Sequence, residues 1–193
     1  MPVQKRPKTR LPNPREKDLD AEQRKLLKAI QSGPRGKVHL SGPFAIWMQA
    51  PEFGHYAQAL GGYVRLRTSI EPRLSEFAIL CTARHWRAQY EWMAHAPIAE
   101  RNGVRPETIK AVQAGRRPAK AKRDELLIYD LVRELYRDRR VSDPLFKRAQ
   151  KTFGNKGLVE LLGILGYYAM VSMMLNVFRA ETPPDKPLPF KEP

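Results

Sequence analysis

Residues 82 to 95 read "TARHWRAQYEWMAH" and bring Glu91, His95, Tyr90, two tryptophans and two arginines into one short stretch. Glu91 and His95 stand four positions apart, so on a helix they share a face and their side chains can touch. A carboxylate beside an imidazole makes a proton-transfer pair: it fixes the ring tautomer and raises its basicity. The spacing alone also arises by chance on exposed helices, so the neighbours have to argue for a site. Trp86 and Trp92 supply enclosure, Tyr90 supplies a hydroxyl that can donate, and Arg84 and Arg87 offer the planar two-point contact that suits a carboxylate. Read singly, each arginine is a solvated surface charge. A metal centre through His85, Glu91 and His95 would need ligands ten residues apart to converge, and no metal is expected. Cys81 is the single cysteine, which excludes an intrachain disulfide and a CxxC motif, and its setting "AILCTA" marks a buried structural thiol.

The elements that must position these residues are all helical. Asp20 followed by Gln23 has the form of a capping box opening a helix to about Gln31, where "SGPRG" at 32–36 stops it. The segment 36–44 reads as an irregular loop lying over a pocket. Pro51 and Pro72 suit the first turn of two further helices, the second continuing in pattern to Gly103. Helices are expected at 106–114, 122–139, 144–153 and 156–178. The stretch "GLVELLGILGYYAMVSMMLNVF" at 157–178 is apolar on nearly all sides, yet Glu160, Ser172 and Asn176 are poor choices against lipid, so no membrane is expected. Such a helix belongs at the centre of a bundle or between subunits, and a homo-oligomer is the expectation.

The formal net charge is +15, from 35 Lys and Arg against 20 Asp and Glu. Much of it falls in a Pro-rich opening carrying Lys5, Arg6, Lys8, Arg10, Arg15 and Lys17. The division is therefore a flexible basic arm at 1–17, a helical domain at 18–181 and a Pro-rich tail at 182–193. The arm has neither the apolar run of a secretory signal nor the acid-poor character of a transit peptide, so a cytoplasmic protein is expected. Nucleic-acid binding through the arm and "RELYRDRR" at 133–140 is a competing reading. No helix-turn-helix, zinc finger or aromatic platform accompanies it, so nucleic acid is not the expected partner.

The run "PRLSEFAILCTARHWRAQYEWMAHAPIAERN" at 72–102 resembles the carboxymuconolactone decarboxylase family, whose relatives include the alkyl hydroperoxidase D proteins. The similarity extends through the apolar last helix, from about residue 20 to 180. Its most specific part is "YEWxxH" at 90–95 preceded by a helix carrying Glu76. In the peroxidase branch a glutamate precedes a CxxC pair and a histidine; Glu76 and His95 match the outer two, while Ala88 and Glu91 fall where the cysteines would be. Peroxide reduction by a thiol pair is then closed by that route, leaving a redox role of Cys81 as an alternative.

The resemblance implies an all-α bundle with a long buried C-terminal helix, rings of three or six subunits, and a carbon–carbon lyase without cofactor. Its substrate would be a carboxylated unsaturated lactone or a similar small anion. Glu76 and His95 would handle the proton, Glu91 would orient His95, and Arg84, Arg87, Tyr90 and Trp92 would hold the substrate. A single straight helix would separate Glu76 from His95 by roughly 28 Å. The family resemblance implies a turn near 84–89, although no Gly or Pro marks one.

Overall fold

The computed structural model describes residues 6–33 and 36–192. The first five residues of the basic arm, Pro34 and Arg35 of the "SGPRG" stop, and Pro193 of the tail lie outside the described residues. A short 3-10 turn at Glu16–Asp18 is followed by α1 (Ala21–Gln31), α2 (Gly42–Trp47), α3 (Pro51–Leu66), α4 (Pro72–His85), α5 (Gln89–Arg101), α6 (Pro106–Gln113), α7 (Arg123–Asp138) and α8 (Asp143–Phe178). The described residues contain no strand, and the fold is all-α as expected. The Asp20–Gln23 capping box forms with both reciprocal hydrogen bonds. Gly154, at φ 66 and ψ 175, interrupts α8 where the sequence separates two helices.

The expected irregular loop at 36–44 is only partly that, because Gly42 begins α2. Six residues are too few to show a 3.6-residue period. Gly42 has φ 56, and a β-carbon there would stand 2.3 Å from the Tyr90 ring, so this start is built around glycine.

The centre of the bundle is α4, not the last helix. Every residue from Arg73 to Ala83 is buried, and α4 packs against α3, α5, α6, α7 and α8. Its first turn is fastened by Arg73, whose guanidinium lies 2.7 Å from Glu125 and 2.6 Å from Asp124 at the start of α7. Those partners offset the cost of burying the charge. By contrast, α8 is covered on one side only: Val159, Leu162, Met173 and Val177 are exposed, as are Phe53, Tyr56 and Leu60 on the neighbouring α3. Glu160 ties the two helices together by accepting from the Tyr63 hydroxyl and the Ser69 amide, each at 2.7 Å.

From Arg6 onward the basic arm lies against the fold instead of standing free. The Arg10 amide donates to the Phe178 carbonyl at 2.9 Å, the Arg10 guanidinium donates to Val177 at 2.9 Å, and Asn13 donates to Glu181. These carbonyls close α8 and have no helical partner of their own, which gives an extended segment something to bind. The Pro-rich tail also docks: Phe190 is buried, with its ring 5.2 Å from that of Trp92, and its backbone is held by Gln89.

Candidate active site

The pattern that reads as helical from Pro72 to Gly103 is broken at Trp86–Ala88, and the break is what makes a site. Arg87 takes the left-handed conformation, φ 49. The Ala88 amide donates to Ala83 and the Arg87 amide to Arg84, the paired bonds of a Schellman ending. Ala88 and Ala83 are both almost completely buried. The chain reverses in three residues, and α5 runs back along α4.

That reversal brings residues nineteen apart into contact. His95 Nδ1 lies 2.6 Å from Glu76 Oε2, and His95 Nε2 lies 3.2 Å from Glu91 Oε2. All three side chains are buried. The Tyr168 ring from α8 stands edge-on to the imidazole, with centroids 5.1 Å apart. Burial opposes charge on the ring, but hydrogen bonds to Glu76 and Glu91, with the charges of both carboxylates, outweigh it and raise His95 to about 9. The protonated ring donates from Nδ1 to Glu76 and sets Nε2 opposite the Glu91 carboxylate. Burial foremost, then the charge on Glu91, pushes the Tyr168 phenol well above its usual value of 10. That hydroxyl stays neutral.

A cation at this site is missed by sequence reasoning. Arg65, near the end of α3, places its Nε 3.9 Å from Glu76 Oε1, and its side chain is 31% exposed. Nothing in "YVRLRTS" separates it from any other arginine. Only the packing of α3 beside α4 and α8 selects it.

The four residues expected to hold substrate do not gather at His95. Arg84 lies eight residues along α4 from Glu76, about 12 Å by helical rise. Its guanidinium sits over the Phe190 ring at 5.4 Å. Trp92 also faces Phe190. Tyr90 turns toward α2, with its hydroxyl 3.1 Å from Ser41 Oγ. Arg87 and Tyr90 line a separate cleft of about 840 Å³ whose walls include none of Glu76, Glu91 or His95. The side chains of an amphipathic hairpin point several ways, and the sequence does not say which way each goes.

Elsewhere, His85 stacks on Tyr136 with centroids 4.4 Å apart, well away from any pairing with His95. Among the described residues no group of three His, Cys, Asp or Glu is placed to hold a metal ion. Cys81 is buried, and burial pushes its thiol pKa up strongly, which removes the thiolate that redox chemistry needs.

No family model matches this chain, and no curated protein is similar to it in sequence. A solved structure is similar in fold: an uncharacterised peroxidase-related protein from Ralstonia eutropha JMP134, described as an alkylhydroperoxidase AhpD core. It aligns with a TM-score of 0.74 over 93% of this chain and 94% of that one, at 15% sequence identity. The fold is AhpD-like. Within that fold, α8 is the one helix among the described residues long and apolar enough to cross a membrane. Its most apolar stretch is 56% buried against the rest of the bundle.

Proposed function

We propose that this AhpD-like protein is a proton-transfer enzyme of the carboxy-lyase type, working without a cofactor on a carboxylated unsaturated lactone or a similar small anion. One observation carries the reading: His95 is an enclosed imidazole held between Glu76 and Glu91, whose carboxylates favour its protonated form. In such a reaction the bond to the carboxylate breaks and CO2 leaves. The electron pair moves into the conjugated carbonyl, and the enolate that results takes a proton at carbon. His95 supplies that proton as general acid and is then reprotonated from solvent. Nε2 is the nitrogen assigned to deliver it, because its contact to Glu91 at 3.2 Å is looser than the 2.6 Å contact of Nδ1 to Glu76. Glu76 fixes the ring and keeps it charged. Arg65, partly exposed beside Glu76, takes the anchoring role first expected of Arg84 and Arg87, binding the substrate's negative charge.

The same reading places the protein in the cytoplasm as a homo-oligomer of three or six chains, with the exposed apolar faces of α3 and α8 at the subunit contact. A peroxidase-related role is the second reading, and the buried Cys81 thiol counts against it. The test is CO2 release from carboxylated muconolactones by protein treated with chelator, compared with folded His95→Gln. Release that falls at least about a hundredfold in the variant supports general-acid catalysis by His95. Equal turnover by the two proteins removes His95 from the mechanism.

A further inference from the structure

The cleft beside the α4–α5 turn has no part in the chemistry assigned to His95, yet it is a built cavity. The arm at Arg6–Arg10, the turn at Trp86–Tyr90, the end of α8 and the tail line a partly open cleft of about 840 Å³. Six cationic side chains line it against two carboxylates. Neither carboxylate forms an ion pair with a lining cation among the described residues. Glu181 accepts from the Asn13 amide and Glu192 from the Gln89 amide, at 2.9 and 2.7 Å. Arg6 and Arg10 are occupied in binding backbone carbonyls of Thr182, Lys186 and Val177. Lys8, Arg87, Arg179 and Lys191 have no ion-pair partner among the described residues, so four unpaired cations face one cavity.

Two further features mark it. Arg87 and Arg179 both adopt left-handed backbone, φ 49 and φ 51, at helix endings where glycine would sit without strain. Both lie on this cleft, and they are two of the three described non-glycine residues with positive φ. Arginine holds that backbone at a conformational cost that glycine would avoid. The walls between the cations are flat or apolar, with Trp86, Tyr90, Leu175 and Leu188. Trp86 keeps its indole N–H buried without a partner.

We infer that this cleft is a second binding site, separate from His95, for a flat unsaturated molecule carrying two or more acidic groups, either carboxylates or phosphates. Arg87 and Arg179 grip the acidic groups, and Trp86 and Tyr90 bracket the ring. The inference does not depend on the carboxy-lyase reading.

Quenching of tryptophan fluorescence by benzene-1,3-dicarboxylate and by ADP, with benzoate as monoanion, tests it in the full-length protein. A variant combining Arg87→Gly and Arg179→Gly keeps both left-handed turns and removes both guanidinium groups. Saturable quenching by the dicarboxylate or by ADP is expected, weakened about ten- to a hundredfold in the double variant with no loss of Tm, and unchanged in His95→Gln. The tighter of the two probes identifies the acidic group. Absence of saturable binding by both probes would overturn the inference, as would benzoate binding equally well, undiminished binding in the double variant, or loss of binding in His95→Gln.

Discussion

His95 is the residue on which the pH behaviour turns. Its folded pKa of about 9 lies above the ordinary histidine value of 6.5, so folding favours the protonated ring. The stabilisation is therefore fully present below about pH 6.5 and is lost as pH rises through about 9. Activity that uses the imidazolium as acid falls over the same upper range, about tenfold per pH unit beyond 9. A pH–rate profile checks this, and Glu76→Gln should move the descending limb to lower pH by removing the shorter of the two carboxylate contacts. A limb that stays in place would mean that another group titrates. The pairing of Glu91 with His95 was legible from a spacing of four. The pairing of Glu76 with His95 came only with the family resemblance and the turn near 84–89 that it implies, because no glycine or proline announces the reversal. Arg65 was invisible for a different reason: it reaches the site from a third helix, and no local pattern encodes that contact.

At the scale of elements, most helix starts were legible because they carry their own chemistry. Proline occupies the first turn of α3, α4, α6 and α8, and a complete capping box opens α1. Endings were harder. Gly103 and Gly115 close α5 and α6 with positive φ as their residue type suggests, whereas arginines do the same work after α4, α7 and α8. Arginine in that conformation costs roughly 1–2 kcal/mol that glycine does not. Arg139, which ends α7 at φ 59 away from the cleft, offers the clean case. Arg139→Gly should raise the unfolding free energy by about 1 kcal/mol, read as a higher urea midpoint at constant m-value. An unchanged midpoint would show that its side chain contributes as much as its backbone costs. The short α2 escaped notice because its six residues make fewer than two turns, and its Gly-Pro opening resembles a turn.

For the whole molecule, the uncovered apolar faces set the expectation. Tyr56 is 73% exposed and Val159 70%, on neighbouring helices that ought to seek cover. Light scattering should give a mass three or six times that of the 22.2 kDa chain, and Tyr56→Lys with Val159→Lys should return it to the single-chain mass. A single-chain mass for the unaltered protein would leave those faces without a partner. The charge of +15 and its concentration in the arm were plain in the sequence, but the arm's docking was not: it supplies one wall of a cleft. The docked tail carries a consequence of its own. Its Phe190 sits against Trp92 while Gln89 and Gln113 hold the neighbouring carbonyls, which is how a receptor holds a short peptide. The protein thus carries a tethered ligand whose effective concentration is set by the few residues linking it to α8, on the order of millimolar for a short tether. Phe190→Ala should release it, seen as faster tryptic cleavage after Lys191, and a free peptide with the sequence of the tail should then compete for the vacated groove.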